Sequence, residues 1–205
     1  MNDRLVWIDC EMTGLDLTRD ALIEVACVVT DSELNVLDEG IDLVIKPPQE
    51  ALTDMVEVVR EMHTSSGLLD ALPGGMPLGE AEQRVLEYVQ GHVPEANKAP
   101  LCGNTIATDR AFLNRDMPRL DGHLHYRMID VSSVKELARR WYPRVYFASP
   151  EKKGGHRAMA DINESILELR YYRSAVFVPQ PGPDSATARA YANEVVREAA
   201  APGAE

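Results

Sequence analysis

The sequence has few cysteines and no long apolar run. Cys10, Cys27 and Cys102 are an odd number, lie far apart and form no CxxC pair. We therefore expect neither a disulfide framework nor a thiolate metal site. No segment approaches the roughly 20 consecutive apolar residues that cross a bilayer, and no charged-then-apolar leader opens the chain. These absences predict a soluble, cytoplasmic protein without a membrane partner.

Basic residues are also scarce. Lysine and arginine together number 21 against 33 acidic residues, which gives a formal net charge of −12. Affinity for long nucleic acids comes from many contacts between basic side chains and phosphates, which release counterions. A chain this acidic is therefore a poor candidate for capturing long DNA or RNA, and any nucleic-acid partner is expected to be short.

What the sequence does contain is enough apolar residues for one core. The chain has 205 residues, of which 45% are hydrophobic, and this predicts a single domain. We place that domain at residues 1–178. From Pro179 the sequence becomes rich in proline and then in alanine and glutamate, which predicts a tail over 179–205 that is disordered or marginally helical.

Apolar patterns along the domain predict alternating strands and helices. Residues 5–8 form an unbroken apolar run, typical of a central strand. The other predicted strands are 21–30, 35–46, 100–103 and 126–130, and the predicted helices are 53–62, 78–89, 105–114, 131–141 and 158–173. Proline and glycine predict a loop at 72–77 and a mobile loop at 143–155. This order is typical of the α/β class, with a mixed sheet.

Two acids follow the first apolar run. Asp9 and Glu11 are two residues apart, so on a strand they project to the same face. Like charges this close repel each other unless a cation lies between them. Solvated acids are also common at strand ends, so these two residues alone leave both explanations open.

Three more candidates lie further along the chain. Asp109 stands on the first turns of a predicted helix, where an acid could also simply interact with the helix dipole. His156 precedes Asp161 by five residues, about 500° around a helix, so the two converge only if His156 lies on the loop before it. Together with Asp9 and Glu11, they suit two divalent cations bound by carboxylate oxygens, with an imidazole left to accept a proton from water.

The five residues and their surroundings resemble a known family. The segments WIDCEMTGLD, MHTSSGL, CGNTIATDRAFL, HYRMIDVSSVKELARRW and HRAMADINESILELRYYR are similar to those of the DEDD superfamily of 3′-to-5′ exonucleases, in its histidine-containing branch. Within that branch the segments most resemble those of the oligoribonuclease family. The resemblance extends from about residue 5 to residue 172.

The resemblance implies a ribonuclease H-like mixed sheet flanked by helices, with residues 1–178 as the exonuclease domain. It also implies a homodimer that uses two Mg²⁺ or Mn²⁺ ions to hydrolyse very short RNAs, especially 5′-phosphorylated dinucleotides, to nucleoside 5′-monophosphates. The metal ligands would be Asp9, Glu11, Asp109 and Asp161. His156 would accept the proton of the attacking water.

The same resemblance suggests substrate contacts. Leu15 resembles an apolar wedge between bases, and His63 and Thr105 resemble polar groups that face the nucleic acid, although capping would equally explain those two. Tyr126 would reach the partner subunit's site or else pack in the core. The residues that resemble a cluster closing on a 5′-phosphate are Arg127, Ser132 and Ser133. One departure is residues 53–60, where the family pattern leads us to expect a tryptophan and none is present.

Two alternatives remain at this point. A DNA proofreading or RNA 3′-end-trimming exonuclease would use the same five residues, but it should carry basic or aromatic surface for a longer strand. A catalytically idle binding module on the same fold is the other alternative, and activity with and without EDTA would exclude or establish it.

Overall fold

The computed structural model describes residues 3–151 and 155–200. The described strands are β1 (Leu5–Met12), β2 (Leu22–Thr30), β3 (Ile41–Val44), β4 (Pro100–Gly103) and β5 (His125–Asp130). They form one five-stranded sheet in the order β3-β2-β1-β4-β5. β1, β4 and β5 run parallel, whereas β2 is antiparallel to β1 and β3. The prediction of an α/β fold with a mixed sheet is therefore confirmed.

Helices flank the sheet. Within the described residues they are α1 (Gln49–Thr53), α2 (Glu57–Ser65), α3 (Leu68–Ala71), α4 (Leu78–His92), α5 (Ala107–Asp116), α6 (Pro118–His123), α7 (Val131–Trp141), α8 (Pro143–Phe147), α9 (Ala158–Val176) and α10 (Ser185–Ala200). A short 3₁₀ turn, Leu72–Gly74, follows α3. None of these helices combines the length and apolar character that a membrane span requires.

The strand β1 separates two apolar layers, because successive side chains alternate between its faces. Val6 and Ile8 belong to the layer that includes α4, α5 and α6. Trp7 belongs to the other layer, with side chains of α7 and α9. Since Asp9 and Glu11 have the same parity as Trp7, they project toward the face that α9 covers.

The carboxyl ends of the three parallel strands meet at one edge of the sheet. β1 ends at Met12, β4 at Gly103 and β5 at Asp130. In open α/β sheets this edge is where ligands bind, because loops and helix starts converge there. Glu24, near the start of the antiparallel β2, stands opposite Glu11 at the same edge.

Several predicted boundaries need correction. The strand predicted at 35–46 is limited to β3, with isolated bridges at Val36 and Ile45, since Gly40 turns the chain with φ +77°. The prediction of one helix at 53–62 is wrong. The helix α1 ends at Thr53, Met55 is buried in the connection, and α2 begins at Glu57. The predicted loop 143–155 is wrong over its first five residues, which form α8, with proline at the first helical position.

Other parts of those predictions concern residues beyond the described ranges. Residues 152–154 of the predicted mobile loop and residues 201–205 of the predicted tail lie outside the described residues. For the rest of the tail the prediction left disorder or a marginal helix open, and the structure describes a helix, α10, with no buried residue. The domain boundary at residue 178 stays a prediction.

Candidate active site

Asp109 is joined directly to the strand that carries the two acids. It is buried on the first turn of α5, and its Oδ1 accepts a hydrogen bond of 3.0 Å from the backbone N–H of Cys10. Cys10 lies between Asp9 and Glu11, so this bond fixes α5 against the acidic end of β1. The third acid is therefore held beside the first two by its own side chain.

His156 and Asp161 approach β1 from the other side. His156 stands on the loop before α9, as predicted, with the uncommon backbone angle φ +46° for a residue other than glycine. Asp161 is on the first turns of α9. One ligand atom each from Glu11, His156 and Asp161 lie within 4.8 Å of one another. Asp9 feels the charges of Glu11, Asp109 and Asp161, so the five residues singled out in the sequence converge at one place.

The acids at this place hold their protons far more tightly than usual. Burial, followed by repulsion from Asp109 and Asp161, raises the pKa of Asp9 to about 9. Burial and the charges of Asp161 and Glu24 raise the pKa of Glu11 to about 8. Burial raises the pKa of Asp109 to about 7, although the bond from Cys10 opposes it. Such acids ionise together at neutral pH only if a positive charge compensates them.

A divalent cation fits this set of donors. Carboxylate oxygens are the ligands that Mg²⁺ and Mn²⁺ prefer. The three residues whose ligand atoms lie within 4.8 Å of one another include His156, which the sequence analysis assigned to proton transfer. They do not include Asp9 and Asp109, which the sequence analysis assigned to the metals. The Oδ1 of Asp109 accepts the bond from Cys10, which leaves Oδ2 as the atom that could face a cation.

Comparison with known proteins now identifies the family. The exonuclease family model RNase_T matches residues 6–169. An oligoribonuclease of Streptomyces coelicolor is 72% identical over 94% of this chain and 96% of its own length. Another, from Streptomyces griseus, is 68% identical over 100% of both chains. The chain belongs to the oligoribonuclease family. It is therefore a hydrolase of the exonuclease class.

Solved structures support the fold of this oligoribonuclease-family chain. Exonuclease I of E. coli, in complex with a dT13 oligonucleotide, superposes with a TM-score of 0.64 at 18% identity over 84% of this chain. Exonuclease I from Methylocaldum szegediense superposes with a TM-score of 0.60 at 21% identity over 87% of this chain. The chain spans only 41% of the length of either protein. At these identities the likeness concerns the fold.

His63 lies next to the acids but inside the protein. Its imidazole is 0% exposed, Nε2 lies 2.9 Å from the carbonyl oxygen of Met12, and Nδ1 lies 4.0 Å from Oε2 of Glu11. Desolvation lowers its pKa, so the ring is neutral at physiological pH. The sequence assigned His63 to substrate contact, and that contact would require its side chain to open toward solvent.

Of the residues assigned to a 5′-phosphate, the two serines lie at the start of α7, whereas Arg127 lies earlier, on β5, where its Nε donates to the hydroxyl of Tyr126. Ser132 Oγ donates to Asn104 Oδ1 and accepts from the N–H of Thr105, and Ser133 Oγ donates to Asp130 Oδ2. Asp130 also caps α7 through the N–H of Ser132. Both hydroxyls are therefore engaged within the protein, and a phosphate would have to compete with Asp130 for the helix start.

Two of the side chains assigned to substrate or partner contact, one aromatic and one aliphatic, are exposed. Tyr126 is 71% exposed on the edge strand β5, so the alternative that it packs in the core is wrong. Leu15 is 75% exposed on the turn after β1. A cleft of about 360 Å³ separates that turn from Val56 and Val59 at the start of α2, the region that lacks the expected tryptophan. Aliphatic side chains stand where a base-stacking ring was expected.

Sequence reasoning overlooked Glu24 and Arg157. Glu24 is 0% exposed in β2, where every residue is buried. Its carboxylate forms a 2.6 Å ion pair with Arg157, the residue after His156. An acid inside the apolar run LIEVACVVT was the available signal, because a buried charge needs a partner.

Proposed function

We propose that the protein is a 3′-to-5′ exoribonuclease that hydrolyses very short RNAs, especially 5′-phosphorylated dinucleotides, to nucleoside 5′-monophosphates. The observation that carries the proposal is the convergence of Asp9, Glu11, Asp109, His156 and Asp161 at one edge of the sheet. It is supported by the oligoribonuclease relatives, which match the chain along nearly its whole length.

The acids would hold two Mg²⁺ or Mn²⁺ ions. Bound cations stabilise the attacking and leaving oxygens of a phosphodiester displacement. The raised pKa values of Asp9, Glu11 and Asp109 support this assignment, because the folded chain already brings these groups together at an electrostatic cost that a cation would offset. Asp161 would complete the set from α9.

His156 would act as the general base. Its side chain is exposed on the loop before α9, so water can reach it, and it lies within 4.8 Å of oxygen atoms of Glu11 and Asp161. An imidazole in this position can accept the proton of the attacking water. The exposed position distinguishes it from His63, which is wholly buried.

The preference for short RNA follows from charge and from the surroundings of the site. A dinucleotide offers one or two phosphates, which two cations and one arginine can bind despite the net charge of −12. The cleft beside Leu15 would take a base between aliphatic side chains. Arg127, Ser132 and Ser133 would bind the 5′-phosphate and so limit the length of the substrate, with Thr105 beside them.

We also propose a homodimer and a cytoplasmic location. Four exposed apolar side chains, which a second subunit would cover, are Tyr126 and Met128 on the edge strand, Trp141 on α7 and Phe147 on α8. Three buried cysteines without disulfides support a reducing compartment. Light scattering of the wild type and of Trp141→Glu tests the dimer, since the substitution should yield monomers.

Hydrolysis rates across RNAs of different length test the function. We expect Mg²⁺-dependent release of nucleoside 5′-monophosphates from 5′-phosphorylated RNAs of two to about seven nucleotides, fastest for two, and none in EDTA. Single-stranded DNA of the same lengths serves as the control substrate. Faster cleavage of long RNA or of DNA would instead indicate a trimming or proofreading enzyme, and no hydrolysis of any substrate would indicate a binding module.

A further inference from the structure

Glu24 places one more carboxylate against the acidic end of β1. It is the direct cross-strand partner of Glu11, and both side chains lie on the face that α9 covers. Like charges directly opposite on neighbouring strands destabilise a sheet. A buried acid in this position therefore needs strong compensation, and the contacts of Glu24 provide it.

The ion pair of Glu24 and its bond from a backbone N–H go to the segment that carries His156, while the carboxyl of Asp42 on β3 also lies against it. Oε1 of Glu24 lies 2.7 Å from Nε and 2.6 Å from Nη2 of Arg157, and Oε2 accepts a 2.9 Å hydrogen bond from the N–H of Ala158. Arg157 is the residue at the N-cap of α9 and supplies no side-chain cap of its own. Glu24, on strand β2, thus caps α9 through the N–H of Ala158 and also binds the side chain of the N-cap residue, Arg157.

The backbone just before this anchor is strained. His156 has φ +46°, a left-handed conformation that residues other than glycine seldom adopt and that persists only where neighbouring contacts enforce it. The next two residues, Arg157 and Ala158, are the ones bound to Glu24. The anchor therefore lies directly beside the residue whose backbone needs to be held.

We propose that Glu24 is a positioning residue, which holds the imidazole of His156 opposite Glu11 and Asp161 through its bonds to Arg157 and Ala158. The inference rests on the proposed function, in which His156 accepts a proton. Asp161 stands within α9, where its own N–H donates to the carbonyl of Arg157, whereas His156 precedes the helix.

Steady-state kinetics of Glu24→Gln with a 5′-phosphorylated dinucleotide in Mg²⁺ tests this role. Glutamine keeps the shape and the acceptor for Ala158 but loses the ion pair with Arg157. A misplaced general base should lower kcat about 10- to 100-fold, while KM should stay within about threefold because the substrate contacts are untouched. If Glu24→Gln does not fold, Arg157→Gln removes the same ion pair from a side chain that is partly exposed.

A double mutant separates positioning from general stabilisation. If Glu24 acts through His156, then Glu24→Gln should lower kcat less than about threefold when His156 is already replaced by alanine. The matched control is Glu82→Gln, since Glu82 is also a buried acid that accepts a backbone N–H, from Arg119 at 2.7 Å near the start of α6. This control should leave kcat unchanged.

Two results would overturn this inference and leave the proposed function standing. One is a wild-type kcat in Glu24→Gln, and the other is an equal loss of kcat from Glu24→Gln with and without the His156 side chain. A wild-type enzyme that hydrolyses no dinucleotide would overturn the proposed function, and this inference with it. The two failures are therefore distinguishable from the same set of measurements.

Discussion

Asp161 and Asp9 belong to a cluster in which each acid destabilises the charge of the others. Replacing either by alanine should abolish Mg²⁺-dependent hydrolysis, because a metal ligand is lost, while melting temperature in EDTA should stay level or rise, because repulsion is relieved. Turnover in Mg²⁺ and thermal melts in EDTA measure the two effects. The exposed Asp70→Ala serves as control and should alter neither. Near wild-type turnover in both site variants would contradict the two-metal assignment.

His156 differs from the acids because its proposed task is proton transfer. His156→Ala should lower kcat about 10²- to 10⁴-fold, the usual contribution of a general base, and leave substrate affinity near that of the wild type. His156→Asn should behave in the same way. Dinucleotide binding in Ca²⁺ and kcat in Mg²⁺ separate the two quantities, with His92→Ala as a histidine control at the end of α4. Equal losses in binding and turnover would make His156 a residue that positions the substrate or a metal.

At the scale of elements, β5 and the start of α7 carry the predicted selection for length. Arg127 Nε donates to the hydroxyl of Tyr126, while Asp130 accepts from Thr105, Ser132 and Ser133. The bond to Tyr126 therefore orients the arginine against an aromatic side chain. Its guanidinium carbon lies 5.5 Å from the ring centroid of Tyr126.

Arg127→Ala should therefore reduce the preference for two nucleotides over five. A charge-assisted contact with a phosphate contributes about 1.5–3 kcal/mol, or roughly 10- to 150-fold, against about 0.2–1 kcal/mol for an exposed ion pair. Kinetics on pGpG, GpG and a five-nucleotide RNA measure the effect, and the exposed Arg144→Ala on α8 is a matched control. A length profile unchanged by Arg127→Ala would remove this cluster from the site.

At the scale of the whole molecule, the acids make stability depend on pH. The folded-state pKa values of Asp9, Glu11 and Asp109 are about 9, 8 and 7, against ordinary values of 3.8, 4.5 and 3.8. At pH values between the ordinary and the folded-state pKa values, the folded protein binds more protons than the unfolded chain. As far as these groups decide it, the metal-free protein should therefore be most stable at and below about pH 4, and its stability should fall as pH rises to about 9.

Thermal melts in EDTA from pH 5 to pH 9 measure this trend. The melting temperature should fall by several degrees, less steeply in Asp9→Asn, and Mg²⁺ at pH 8 should restore much of the loss because it binds only the folded, ionised cluster. A melting temperature that is flat or rises with pH in EDTA would contradict the raised pKa values.

Local patterns in the sequence were enough for much of the fold. The strand at 100–103 and the helix at 131–141 have the bounds that the sequence predicted, since proline, glycine and a capping aspartate mark their ends. The spacing of Asp9 and Glu11 also placed both on one face of β1, because side-chain alternation on a strand needs no knowledge of the rest of the chain.

Tertiary structure alone decided what those side chains meet. Glu24 and Arg157 are 133 positions apart, and no local pattern pairs an acid inside a strand with the residue at a helix start so far along the chain. The burial of His63 against Met12 and the break between α1 and α2 depend likewise on packing between distant segments. The sequence by itself determined which groups are available for chemistry, through composition and periodicity. The distances between these groups, their protonation and their partners depend on how α9 packs on the sheet, because burial and charge act through space.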